Sequence, residues 1–261
     1  MERGGAKTGA KCFEREMALG EERVVTAAVL IIGDEILSGR TKDRNGGAIA
    51  AHLTNIGIRL KEMRVVPDDE AEICAAVNAL SGRYDYLFTT GGIGPTHDDI
   101  TADSIAKACG VAIDVDPRAE KLLAENYGKR GLALTPSRLR MARIPAGASL
   151  IVNPVSGAPG FRIGNVIVMA GVPEIMLAML EAVTPDLETG DKVLSVTIAV
   201  DRPESEIADV FSAHQQRYRD VAMGSYPRLR DGKPVADLVL RSPDADRLSE
   251  AAATLKAALG V

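Results

Sequence analysis

The chain has no tryptophan, and only five tyrosines, four phenylalanines and three histidines among 261 residues. Its core must therefore be assembled from alanine, valine, isoleucine and leucine. Cysteine is equally sparse. Cys12, Cys74 and Cys109 stand singly with no CxxC pair, which suits neither a disulfide framework nor a zinc site and fits a reducing compartment. Cys74 and Cys109 fall on the faces of helical patterns and read as small core residues. No apolar run is long enough to span a membrane, and residues 1–23 contain no apolar h-region. Glu14, Glu16, Glu21 and Glu22 argue against a mitochondrial presequence. The expectation is a cytoplasmic protein with a disordered tail over residues 1–23 and Met17 as an alternative start. The net charge of -5 argues against broad nucleic-acid or membrane binding and leaves a small molecule as the expected partner.

What is present is a patterned globular sequence, 46% hydrophobic and 26% charged. Residues 24–32 form a continuous apolar, β-branched run, as in a parallel strand covered on both faces. Asn45 is placed to cap a helix carrying Ile49, Leu53 and Ile56, which Gly57 ends. Residues 58–66 read as a strand, and Ile73, Val77 and Leu80 mark a helix behind an N-cap at Asp68 or Asp69. A strand over residues 86–90 and a helix over 117–130 complete a β-α alternation that predicts a doubly wound α/β sheet. Residues 132–143 read as a covering excursion outside that sheet, whose Arg138, Arg140 and Arg143 are spare cations able to pair phosphate, with solvated charge the expected account.

The stretch TTGGIGPTHDDIT, residues 89–101, organises the rest. An apolar strand enters it and a helical pattern leaves it. Gly91, Gly92 and Gly94 let the backbone bring N–H groups close to an anion, and the helix start adds its positive end. The stretch lacks the Gly-Lys-Ser/Thr ending of a P-loop, and His97 stands where a dinucleotide fingerprint needs glycine. Asp98 and Asp99 in the same turn would repel a phosphate unless a divalent cation lies between, or unless one acts in chemistry. The pattern therefore reads as a site for a metal-bound phosphate ester. Gly33, Asp34 and Glu35 follow the first strand, and Asp68 the second, at the carboxyl ends where open α/β sheets place ligands.

A second glycine- and proline-rich loop, NPVSGAPG at residues 153–160, precedes a hairpin over residues 161–169 and a helix over 174–183. The residues these loops offer to a substrate are Gly33, Asp34, Glu35, Thr90, Gly91, Gly92, Gly94, Pro95, Thr96, Asn153, Gly157, Ala158, Pro159 and Gly160. Residues 184–190 mark a boundary between an α/β domain, 24–184, and a small α+β domain, 191–261, with strands at 193–200, 221–226 and 235–241. Its order, β-α-β-β-α, is KH-like. No GxxG clamp stands at the expected turn, so RNA binding is not expected.

Six motifs in this order, GDEILSG, DRN, PDD, TTGGIGPTHDDIT, NPVSGAPG and GVP, resemble the molybdopterin-binding, MoaB/Mog-like family, and most closely the amino-terminal region of its CinA branch. The resemblance implies a three-layer α/β/α sandwich with a mostly parallel sheet, and GSYP at residues 224–227 is similar to part of that branch's appended small domain. It also implies Asp68 and Asp99 as catalytic positions, Asp98 and Asp99 as ligands of a divalent Mg, Mn or Co ion, and a homo-oligomer, a dimer first. Ile93, where the adenylyltransferases carry threonine, and Asp98 beside Asp99 are similar to the CinA branch, which implies hydrolysis of ADP-ribose- or FAD-like diphosphates. Molybdopterin adenylylation and non-catalytic pterin or nucleotide binding stay open. With the sequence ending at Val261, the carboxyl-terminal deamidase activity of longer relatives is not expected.

Overall fold

The computed structural model describes residues 23–261. The expected tail lies outside them except for Arg23, whose backbone N–H donates to Asp191 Oδ2 at 2.9 Å. The chain begins with β1 (Val25–Ile32), a one-turn helix α1 (Asp34–Leu37), α2 (Asn45–Asn55), β2 (Ile58–Val66), α3 (Glu70–Ser81), β3 (Tyr86–Thr90) and α4 (Thr101–Ala108). It continues with β4 (Ile113–Val115), α5 (Pro117–Lys129), α6 (Pro136–Leu139), β5 (Arg143–Pro145), β6 (Ser149–Ile151), β7 (Gly160–Ile163), β8 (Val166–Met169) and α7 (Pro173–Val183). The main sheet has the order β2-β1-β3-β8-β7-β6. β2, β1, β3 and β8 run parallel, and β7 turns antiparallel to β8 through the predicted hairpin.

The period of two along β1 explains why its sequence is apolar throughout. Ala28, Leu30 and Ile32 pack on one face with Ile73, Val77 and Leu80 of α3, Ile105 of α4 and Leu123 of α5. Ala27, Val29 and Ile31 pack on the other with Ile49 and Leu53 of α2 and Met176, Met179 and Leu180 of α7. The result is an α/β/α sandwich whose central strands have no solvent face. The segment predicted to lie outside this sheet does so, and β5 pairs only with β4.

The remaining elements are β9 (Leu194–Val200), α8 (Glu204–Arg217), β10 (Ala222–Arg230), β11 (Lys233–Ser242) and α9 (Ala245–Leu259). They build an antiparallel sheet, β10-β11-β9, over a separate apolar cluster containing Ile198, Leu238, Leu240, Leu248 and Leu255.

Three local readings need correction. Asn45 does not cap α2: it is the first helical residue, and Asp43 Oδ1 and Oδ2 accept from the N–H groups of Asn45 and Gly46 at 3.1 and 3.0 Å. Cys109 is exposed at the end of α4, because the helix stops there and the apolar face ends with Ile105 and Ala106. Arg138 and Arg143 are not free charges. Arg138 lies 4.4 Å over the Tyr127 ring and donates to the Ala133 carbonyl at 2.6 Å, while Arg143 pairs with Asp103.

Candidate active site

The residues that follow β1, β3 and β8 line one cleft, and the end of β2 brings Asp68 beside the glycine loop without lining it. β3 delivers Thr90 into the glycine loop, where Gly91 and Gly92 take positive φ of 107° and 65°. Both are required: a Cβ at Gly91 would lie 2.1 Å from the Ile32 carbonyl oxygen, and one at Gly92 would lie 2.1 Å from Thr101 Oγ1. Gly94 is different. Its added Cβ would meet first the Asp99 carboxylate, at 2.7 Å from Oδ2. The loop is thus pressed against β1 and α4 at one end and opens towards Asp99 at the other. The Gly91 N–H is already used by the Met169 carbonyl at 3.2 Å, contrary to its expected role as an anion donor. Among the described residues no acceptor takes the N–H groups of Gly92, Ile93 or Gly94. Three half-buried N–H groups without a protein acceptor, beside a helix start, are an arrangement that can receive an anion.

Two carboxylates flank this cradle. Asp69, not Asp68, caps α3, accepting from Ala71 and Glu72 N–H at 2.9 and 3.0 Å. That leaves Asp68 to receive the Asp34 N–H on Oδ2 at 3.0 Å, with Oδ1 3.5 Å from the space a Cβ would occupy on Gly92. Burial, and then the charges of Asp34, Glu35 and Asp98, push the Asp68 carboxyl above its ordinary value, against the pull of the Asp34 N–H. On the other flank Asp99 Oδ2 accepts from Thr96 N–H at 2.8 Å and Thr96 Oγ1 at 2.6 Å. Asp98 is 64% exposed and stands 4.0 Å from His97 Nδ1. The Thr96 hydroxyl, the Asp98 N–H and His97 hold its carboxyl below the usual range. The helix α4 has no side-chain cap, so neither aspartate is consumed by capping.

The cleft beside the cradle has a volume of about 640 Å³. Glu35, Gly91, Gly92, Gly94, Pro95, Asp99, Asn153 and Ala158 line it, together with Ser156, Val172, Pro173, Ile175 and Met179 from outside the expected set. Thr90 lies at an adjoining recess with Glu35 and Gly91. Thr96 faces a neighbouring groove, and Pro159 a narrow crevice behind Gly94 and Asp99. Gly33, Asp34, Asp68, Asp98, Gly157 and Gly160 do not line the cleft. Gly160 opens β7, where a Cβ would lie 2.4 Å from the Val168 carbonyl, so close packing of strands accounts for it. Asn153 ties its own loop, donating from Nδ2 to Ser156 Oγ at 2.6 Å and to the Ala158 carbonyl at 2.8 Å.

Asn45 is a site residue that sequence reasoning missed. It is buried, and its Nδ2 donates to Thr90 Oγ1 at 2.8 Å and to the Gly171 carbonyl at 2.7 Å, joining α2 to the loops after β3 and β8. No local signal reveals contacts 45 and 126 residues away.

Among the described residues no group of three or more His, Cys, Asp and Glu is arranged to hold a metal ion. A magnesium-type ion needs no such group: it is commonly held by one or two carboxylates with the remaining positions filled by water and substrate phosphate. Asp68, Asp98 and Asp99 offer only hard oxygen donors beside an anion cradle, a set that fits Mg or Mn better than a soft-ligand metal.

Residues 28–189 match the family described as a probable molybdopterin binding domain, and residues 192–261 match the middle domain of FAD synthase. Protein PAE0875 of Pyrobaculum aerophilum is 39% identical over 211 residues, 77% of this chain and 79% of that protein. A CinA-like protein of Desulfosudis oleivorans is 40% identical over 168 residues, 62% of this chain but only 41% of that protein. The solved structure of CinA from Thermoplasma acidophilum, of unknown function, superposes with a TM-score of 0.57 at 40% identity, covering 62% of this chain and 98% of that one. The chain belongs to the molybdopterin-binding domain family, with its likeness on the CinA side. No helix among the described residues is long and apolar enough to cross a membrane.

Proposed function

We propose that the protein is a divalent-metal-dependent nucleotide pyrophosphohydrolase acting on ADP-ribose- or FAD-like diphosphates. The observation that carries the reading is the loop at residues 92–94, which has Asp68 Oδ1 3.5 Å from the space beside Gly92, Asp99 beside Gly94, and N–H groups with no protein acceptor among the described residues. In this reading the N–H groups of Gly92, Ile93 and Gly94 hold the oxygens of one phosphoryl group and stabilise the charge that grows there. Asp99, fixed by Thr96, orients the attacking water and takes its proton. Asp68, with Asp98 and Glu35 beside it, helps hold the cation. That ion would neutralise the diphosphate and acidify water. Ile175, Met179 and Val172 give the cleft an apolar end for a ring.

The match of residues 192–261 to a FAD synthase segment supports a flavin dinucleotide as one substrate, and the element order of 194–259 supports the KH-like reading of that region. The match of residues 28–189 supports a second reading, adenylyl transfer to or from a pterin, for which Asp68 and Asp99 would serve equally. A screen of ADP-ribose, FAD and molybdopterin with Mg, Mn and Co, scoring hydrolysis and adenylylation separately, tests both. Release of AMP from ADP-ribose or FAD is the expected result. AMP transfer to the pterin without hydrolysis would replace the first reading with the second.

A further inference from the structure

A second groove, of about 770 Å³, lies on the other side of Pro95 from the cleft. Pro95 borders both, and between them is a crevice lined by Gly94, Asp99 and Arg140. Ile100, Val115 and Leu139 give the groove apolar walls, and Thr96 and Ser137 add hydroxyls. Its charges are compensated with one exception. Arg143 pairs with Asp103, and Glu70 with Lys107. Arg140 makes a single hydrogen bond, from Nη2 to the Asp99 carbonyl oxygen at 3.2 Å, and its Nε is buried without a partner. Among the described residues no carboxylate pairs with it. An unfilled guanidinium donor set costs stability unless an anion completes it.

We infer that this groove binds the nucleoside monophosphate half of the substrate that leaves on cleavage, with Arg140 on its phosphate and the apolar walls against its base. This rests on the pyrophosphohydrolase reading. The groove lies within the size range of small-molecule sites, roughly 300–1,000 Å³. In the reaction, water adds to the phosphorus held in the cradle and the bridging P–O bond breaks. The bridging oxygen leaves with the groove phosphate as a monoester, and the water's proton passes to Asp99. The preferred substrates are then diphosphates esterified at both ends, and a nucleoside diphosphate with a free terminal phosphate leaves one subsite empty.

Titration calorimetry with AMP, without metal, reads the groove independently of catalysis. Wild-type protein should bind AMP in the micromolar-to-millimolar range. Ser137 is exposed on α6, so Ser137→Trp fills the groove from its wall, and Arg140→Gln removes the cation. Each should weaken AMP about tenfold or more, with partial recovery in Arg140→Lys. Steady-state kinetics should show that Ser137→Trp raises the KM for ADP-ribose and for ADP alike, since both carry the AMP half that the groove holds. If AMP does not bind wild type, or binds Ser137→Trp as tightly, the inference is overturned even where ADP-ribose hydrolysis is observed. If AMP binding falls in both variants while no diphosphate is cleaved, the groove stands and the pyrophosphohydrolase reading fails.

Discussion

The two ends of the parallel sheet are built from similar residue types and finished differently. At the amino end several polar groups among the described residues are paired. Asp85 Oδ2 accepts from both Thr26 N–H and Thr26 Oγ1 at 2.7 Å, and Asn165 Nδ2 reaches the Ser81 and Tyr84 carbonyls at 2.8 and 3.0 Å. Glu188 N–H donates to the Tyr86 hydroxyl at 2.8 Å. At the carboxyl end Gly92, Ile93 and Gly94 keep free N–H groups, Arg140 keeps free donors, and carboxylates crowd Asp68. Arg140 Nε is buried without a partner, and native chains rarely leave a buried polar group uncompleted. This contrast between the named groups at the two ends supports placing the site at the carboxyl end.

The largest effect should follow from removing chemistry at the carboxyl end while keeping its shape. Asp99→Asn retains an oxygen able to accept from Thr96 but loses the charge. Turnover of ADP-ribose should fall by roughly 10²–10⁴-fold with little change in KM. Retention of most wild-type kcat at saturating metal and substrate would reduce Asp99 to a loop-closing residue. Next come the glycines, which divide the loop itself. Gly92→Ala needs a left-handed residue 2.1 Å from Thr101 Oγ1 and should cost about 1–3 kcal/mol, seen as a lower unfolding midpoint in urea. Gly94→Ala has no positive φ and meets first the movable Asp99 side chain, so it should spare stability and impair activity. Equal loss of stability in both would deny the loop its two-part character.

Sequence legibility follows the same division. The strands and helices were readable because burial on both faces leaves an apolar run, as in β1, and one-sided burial leaves a helical period, as in α3. The glycine turn itself was readable because a strand enters it and a helix leaves it, and Gly91 and Gly92 do take positive φ there. Asn45 was not, since cap rules weigh neighbours two or three residues away and its partners are Thr90 and Gly171. Arg138 and Arg143 were misread for the same reason: a charge pattern does not reveal that the Tyr127 ring lies under Arg138 or that Asp103 lies opposite Arg143.

At the amino end the prediction reverses. Asn165→Ala strands two backbone carbonyls and should lower stability by about 1–3 kcal/mol. ADP-ribose turnover per folded molecule should not change. A lowered kcat at a temperature where the variant is fully folded would couple the two ends and spoil the contrast.

The smallest and most diagnostic difference is in pH. Asp116 caps α5 under Arg118, whose side chain, against the opposing effect of burial, holds the carboxyl down to about 2 from an ordinary 3.8. Its charge favours folding, so that contribution is present above pH 3.8 and is lost as pH falls towards about 2. Asp68 is shifted the other way. Its raised folded value means that folding favours the protonated acid, so its contribution is full below the ordinary 3.8 and lost as pH rises through the folded value. Near neutrality Asp68 is therefore a cost that the fold carries. Asp68→Asn should raise the unfolding temperature at neutral pH, an advantage that shrinks on acidification, while abolishing turnover. Asp116→Asn should lower it by roughly 1–3 °C at neutral pH, a deficit that also shrinks on acidification, and leave turnover intact. If Asp68→Asn is destabilising at neutral pH, then its bond from the Asp34 N–H outweighs the crowding of charge, and Asp68 belongs with the structural carboxylates.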